Sequence, residues 1–260
     1  TYESKEITEE AVEEESFGWE TLQEETLNQE ETQTTDLSQN TMAEIKECLA
    51  GTTVNVTELS DAELQQLFYD CEILPEDEIF QRINGCSYQE NDNIPLEDLR
   101  YVRVLYYGFD GATHVGELIV NREIEEDILE IFYELYQAQY PIERMELVDD
   151  YGGDDEKSMA ANNTSAFNYR TISGTSRLSN HSYGKAIDLN PFYNPYVYTS
   201  KDGQFHCEPA EAVEYGDRSG DFPHKIDHGD LAWKLFTDHG FEWGGDWNTR
   251  KDYQHFEKTE

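Results

Sequence analysis

The sequence predicts an α+β domain, and three stretches carry that prediction. "LRYVRVLYY" (99–107) and "THVGELIVN" (113–121) are rich in β-branched and aromatic residues and read as two strands. After Asn121, a residue suited to cap a helix, the apolar positions Ile124, Ile128, Ile131, Phe132 and Leu135 recur at helical spacing until Pro141 stops the pattern. "ERMELVD" (143–149) then reads as a further strand, and "GDLAWKLFTDHG" (229–240) as a second helix that Gly240 can end in a left-handed cap. No internal repeat interrupts this order.

The denser mixed region begins near Glu78 and runs to residue 260. Residues 1–40 differ: 13 acidic residues face one lysine, with scattered apolar residues such as Phe17 and Trp19. Self-repulsion and lack of core material predict a disordered acidic spacer, with Phe17-Gly18-Trp19 as part of a solvated tether or a small binding spot. Over 41–77, "MAEIKECLA" and "DAELQQLFYDC" place apolar residues three or four apart and predict a small helical pair, with a staple between Cys48 and Cys71 in view.

The whole chain of 260 residues suits one principal domain. Its 57 acidic and 18 basic residues leave a net charge of -39, which argues against nucleic acid and anionic membrane surfaces as partners. The longest apolar runs, such as "ELIV" near Leu118, are strand-sized, so no transmembrane segment is expected. The chain begins at Thr1 rather than Met, from which removal of a leader or membrane anchor is expected. Cys48, Cys71, Cys86 and Cys207 form no CxxC pair; an even number fits two disulfides in an exported protein, and buried free thiols are the alternative. A monomer is expected.

The chemistry concentrates in "SNHSYGKAID" (179–188). His181 and Asp188 are an odd number of residues apart, so they cannot share a face of one regular strand, and a turn must intervene. Gly184 supplies it. Lys185–Asn190 can then run as a strand with Ala186 and Asp188 on one face, the small Ala186 leaving space beside the carboxylate. An imidazole and a carboxylate around such a space suit zinc, which needs a third protein ligand if a water is to take the fourth position. His114, His206, His224 and His228 lie in strand-like or polar stretches without chemical company, and His239 falls in the last turn of a helix, where it complements the helix dipole. His255 has company: in "WGGDWNTRKDYQHFE" it follows Asp252 by three residues, beside a tight aromatic turn at Trp243, Gly244, Gly245 and Trp247.

"SNHSYGKAID" and "DYQH" together resemble the Ser-x-His-x-x-Gly-x-Ala-x-Asp and acidic-x-x-His elements of the zinc D-alanyl-D-alanine carboxypeptidases and L-alanyl-D-glutamate peptidases. Their order, a separation of about 70 residues and the "WGGDW" lead-in support the likeness, which takes in roughly 78–258, with "NNTSAFNYR" before the first motif and "NPFYNPYV" after it. The resemblance implies a single zinc peptidase domain of the hedgehog/DD-peptidase type, a small antiparallel sheet flanked by helices. It implies one zinc ion on His181, Asp188 and His255, with Asp252 as general base. It implies that Arg170 stabilises the oxyanion or holds the substrate carboxylate, that Ser179 approaches that carboxylate or stabilises its own turn, and that Trp247 walls the pocket or packs beneath it. Arg177 is the rival cation, read as solvent-facing. Relatives of the short dipeptidase form carry glutamate where this chain has Asp252, and tryptophan where it has Gln254, so this chain looks closer to the phage-type and larger carboxypeptidase branch.

The expected activity is zinc-dependent hydrolysis of peptidoglycan stem peptides outside the cell membrane. Release of a terminal D-Ala leads, because Ser179 and Arg170 both suit a free carboxylate. Cleavage between L-Ala and D-Glu is the alternative with the same ligands, and a cell-wall binding module that keeps the metal without catalysis is the alternative of another class.

Overall fold

A computed structural model of the chain describes residues 38–172 and 175–259. Most of the expected acidic spacer, with the Phe17-Gly18-Trp19 spot, lies outside the described residues. Its last three residues do not behave as a spacer, because helix α1 (38–47) starts there. The chain divides into two compact units, Thr1–Lys46 and Glu47–Glu260. Of the first, residues 38–46 are described, and they lie in α1.

The second unit combines helices with three small antiparallel sheets, where the sequence had suggested one. The largest contains β1 (Thr53–Val54), β2 (Tyr69–Glu72), β3 (Leu99–Tyr107) and β4 (Thr113–Asn121) in the order β1-β4-β3-β2. β3 and β4 occupy the two stretches the composition marks as strands, paired in register from Leu99 opposite Asn121 to Tyr107 opposite Thr113. β3 is buried along nearly its whole length, as expected of a strand covered on both faces. One cover is helix α4 (Glu125–Gln137), which sets Ile128, Ile131, Phe132 and Leu135 against the sheet.

Four expectations need correction. The second member of the helical pair is helical only over α2 (Asp61–Gln65), held at its start by a reciprocal Ser60–Glu63 capping box; the chain then enters β2, because Tyr69–Glu72 finds a partner along β3. The 41–77 segment thus supplies both edges of the sheet, through β1 and β2. Asn121 is not the N-cap of α4; that place falls to Ile124, while Asn121 Oδ1 accepts the Glu123 amide three residues earlier than the helix needs it. "ERMELVD" forms no strand. It runs extended, with an isolated bridge between Arg144 and Asn163 and the Met145 carbonyl accepting from the Glu117 amide, and then turns into a 3-10 segment at Val148–Tyr151. The cysteine staple is also absent: no disulfide joins any two of the four cysteines.

Helices α3 (Glu78–Ile83) and α5 (Asp155–Ala160) lead to the second sheet, β5 (Ala186–Asp188), β8 (Glu242–Trp243) and β10 (His255–Glu257), ordered β5-β10-β8. The third is β6 (Tyr196–Thr199), β7 (Phe205–Glu208) and β9 (Arg250–Asp252), ordered β7-β6-β9. Helix α6 (Leu231–Asp238) matches the second expected helix; Asp230 caps its start and Gly240 follows it with φ +83°. Phe236 on α6 stacks on Phe256 of β10 with ring centroids 4.3 Å apart and meets Phe132 of α4 edge-on at 6.3 Å. Strand alternation sends Phe256 into this core, so its neighbours His255 and Glu257 must face the other way, into a cleft.

Candidate active site

The cleft is built where the second and third sheets meet the end of β4. Asn180–Tyr183 forms a 3-10 turn that Ser179 caps, its Oγ accepting the His181 amide at 3.4 Å. Gly184 closes the turn at φ +65°, and a Cβ there would lie 2.6 Å from the backbone nitrogen of Asn121. That proximity has a purpose. The Asn121 amide donates to the Gly184 carbonyl (2.8 Å) and its side-chain amide to the Tyr183 carbonyl (3.0 Å), so the rigid end of β4 holds the turn that carries His181. The chain leaves Gly184 into β5, where Asp188 stands directly opposite His255 of β10. The turn expected between His181 and Asp188 is what lets both reach one point.

At that point His181 Nε2 lies 3.1 Å from His255 Nδ1, and the Asp188 carboxylate lies 3.2 Å from the first and 3.0 Å from the second. All three residues are buried. His181 Nδ1 must donate to the Ala166 carbonyl at 2.5 Å, since a carbonyl can only accept, which leaves the lone pair of a neutral ring on Nε2. His255 Nε2 sits 2.9 Å from the Glu257 carboxylate and donates to it, which leaves Nδ1 facing inward. Two imidazole nitrogens and a carboxylate thus converge on a space that calls for positive charge. A proton on His255 is one answer: although burial favours the neutral ring, Asp188 and Glu257 push this histidine up to about 10. Asp188 is held well below the usual carboxylate range, against its complete burial, by the two imidazoles. A divalent ion is the other answer, and the donor set fits zinc. Tetrahedral ligands on bonds of 2.0–2.1 Å stand about 3.3 Å from each other, close to the spacing found. Among the described residues this is the one buried trio of such donors brought within 4.8 Å of each other.

Asp252 ends β9 in the same cleft. Burial pushes its carboxyl up to about 7, the Asp188 charge adding to the rise while His255, Gln254 and Arg170 oppose it. Its Oδ1 is buried without a hydrogen-bond partner, an acceptor that the fold itself does not use. The "WGGDW" turn presses against it: a Cβ on Gly244 would fall 2.6 Å from the Asp252 carbonyl and 2.8 Å from its Cβ, so only glycine permits that approach. Gln254 in turn is almost wholly buried, with Oε1 also unpartnered.

Arg170, Arg177, Ser179 and Trp247 line this cleft of about 730 Å³ as well. Arg170 Nη2 pairs with Asp155 at the start of α5 at 2.5 Å, while its Nε is buried without a partner. Arg177 is exposed, in keeping with a solvent-facing charge at the cleft edge. The Ser179 hydroxyl is engaged in its turn, and the Trp247 ring lies 5.3 Å from that of His255. Sequence inspection missed Glu257, Tyr196, Tyr198, Glu208 and Arg250, all lining the cleft. Alternation along short strands was the available signal, for Glu257 is two residues from His255 and Tyr196 two from Tyr198. The Ala166 carbonyl has no such signal. The remaining histidines stay outside the trio: His114 bonds Asp110, His228 bonds Asp246, His239 bonds Asp127, and His206 and His224 stack on Tyr198 and Phe109.

With this geometry in place, the comparison with known proteins is specific. The profile of a D-alanyl-D-alanine carboxypeptidase family matches residues 173–258, the stretch that carries both motifs, and not the part of the resemblance between 78 and 172. No curated protein and no solved structure matches the chain. The match spans 86 of the 260 residues, and over that stretch the chain is similar to the family.

Proposed function

We propose that this chain, whose residues 173–258 match the profile of a D-alanyl-D-alanine carboxypeptidase family, hydrolyses stem peptides of peptidoglycan with one zinc ion and releases their terminal D-Ala. The observation that carries the reading is the pairing of a converged donor trio, His181, Asp188 and His255, with a buried carboxyl in the same cleft, Asp252, whose Oδ1 has no partner. The ion, when bound, lowers the pKa of a water and polarises the scissile carbonyl.

Everything else falls to side chains. Asp252 accepts a proton from the attacking water and delivers it to the departing amine, a transfer typically worth about 100- to 10,000-fold in rate. Arg170 offers an unpaired Nε to the carbonyl oxygen as it gains charge or to the terminal carboxylate, its Nη2 kept in place by Asp155. Ser179 positions His181 through its cap. Trp247 shields His255 from water. The substrate places the enzyme in the cell envelope or outside the cell.

The test is zinc content of the purified protein followed by mass spectrometry of digested muropeptides. Loss of one alanine from the stem supports the carboxypeptidase. Cleavage between L-Ala and D-Glu would replace it with the endopeptidase of the same ligand set, and zinc binding without any cleavage would replace it with a binding module.

A further inference from the structure

β5 and β10 form a two-stranded ladder whose cleft face has two rungs. The outer rung is Asp188 opposite His255, two of the three donors. The next rung is Ala186 opposite Glu257. Directly opposed residues share a face and stand about 5 Å apart at Cβ, so Glu257 lies immediately behind the donor rung, and the methyl side chain of Ala186, fully buried, leaves its carboxylate room. The room is used. Glu257 Oε2 accepts from His255 Nε2 at 2.9 Å and from the side-chain amide of Asn180 at 2.6 Å. Asn180 is the residue before His181, so one carboxylate ties the strand carrying His255 to the turn carrying His181.

We infer that Glu257 is a positioning residue for the metal: it fixes His255 in the tautomer that presents Nδ1 to the ion and, through Asn180, sets the separation of the two imidazoles. The inference rests on the proposed zinc site and adds a residue to it. A histidine with its outer nitrogen free can turn or take its proton on either nitrogen, and only one arrangement offers Nδ1 to the cleft. A carboxylate on Nε2 removes that freedom before the ion arrives and makes the ring a stronger donor. The same geometry accounts for a small residue at 186, since a larger side chain there would displace the Glu257 carboxylate from Asn180.

The experiment is competition for zinc between the protein and a chromophoric chelator, with thermal unfolding of each metal-free variant measured alongside. Glu257→Ala is expected to weaken zinc binding about 10- to 100-fold, the range found when such supporting partners are removed. Glu257→Gln, which still accepts from both partners without the charge, should fall between it and the wild type. Asn180→Ala, which frees one side of the carboxylate, should lose less than Glu257→Ala. If Glu257→Ala binds zinc within twofold of the wild type, or weakens it only in proportion to lost metal-free stability, the inference is overturned. Should Glu257→Ala not fold, Glu257→Gln and Asn180→Ala decide the matter by the same criterion. A wild-type protein that binds no zinc would instead overturn the proposed function.

Discussion

Asp252 and His181 line one cleft but should respond differently to truncation. Asp252→Ala removes a proton acceptor and no donor to the ion, so zinc content should stay near one per chain while turnover falls about 100- to 10,000-fold; His181→Ala should lose both. Metal analysis and muropeptide kinetics on the two variants separate these roles, and an Asp252 variant hydrolysing at the wild-type rate would remove it from the chemistry. The same carboxyl shapes stability when the metal is stripped away. Its folded value of about 7 lies above its ordinary 3.8, so the native state holds the proton more tightly than the unfolded chain does. Between about pH 4 and 7 the native state therefore loses stability as pH rises, because the unfolded chain releases this proton while the buried carboxyl keeps it. Metal-free Asp252→Asn should melt with the wild type near pH 4 and above it at pH 8, whereas parallel melting curves across that range would contradict the shift. The convergence of the three donors was legible because they sit in two short motifs, the first of which demands a turn at Gly184 before a strand that carries Asp188. The Ala166 carbonyl, which fixes the tautomer of His181, was not, since any residue type offers a carbonyl and only the fold says which one arrives.

The elements behind the site explain both the successes and the misses of sequence inspection. β3 and β4 were legible to the residue because nine-residue runs of β-formers on each side of a short turn leave one good register. Tyr69–Glu72 was lost to a helical pattern because a pairing partner outside the segment decided its state, as tertiary contacts often override local preference. "ERMELVD" has strand composition yet meets neighbours only at single bridges, which composition does not reveal. Two predictions belong here. Gly184→Ala should cost about 1–3 kcal/mol for a left-handed alanine, and more through the contact with Asn121, whose relief must shift the His181 turn. Weaker zinc affinity should accompany the lower melting temperature, and a drop in stability with unchanged affinity would show that the turn does not set the site. Glu117 on β4 is buried and accepts from Arg82 at 2.6 and 2.9 Å and from the Tyr101 hydroxyl at 2.5 Å. Burial raises its pKa, but these donors hold it below the ordinary range, so its contribution is present above the unfolded value and lost as pH falls through the folded one. Glu117→Ala leaves Arg82 with only its partner Asp150 and removes the acceptor of the Tyr101 hydroxyl, and should cost about 1.5–3 kcal/mol by urea denaturation at neutral pH, with the deficit shrinking in acid.

Charge acts on the molecule as a whole. Residues 1–40 carry -12 of the net -39, so -27 stays with the rest of the chain, and the acidity is not a property of the N-terminal stretch alone. Such a field draws cations toward the protein and repels anionic polymers over a distance set by ionic strength, about 30 Å at 0.01 M and about 8 Å at 0.15 M. Inside the cleft Arg170, Arg177 and Arg250 stand among seven acidic residues, so carboxylates outnumber arginines there too. A short stem peptide carries little charge for this field to act on, whereas a wall laden with anionic polymer should feel it over the whole surface. Raising salt across that range should speed hydrolysis of intact anionic walls severalfold while changing the rate on isolated muropeptides little. Stripping the polymer from the wall should abolish the difference. Removing residues 1–40 should reduce the salt effect in proportion to the lost charge without erasing it, and a wall rate indifferent to salt, with or without that segment, would show that long-range repulsion plays no part in how the enzyme meets its substrate.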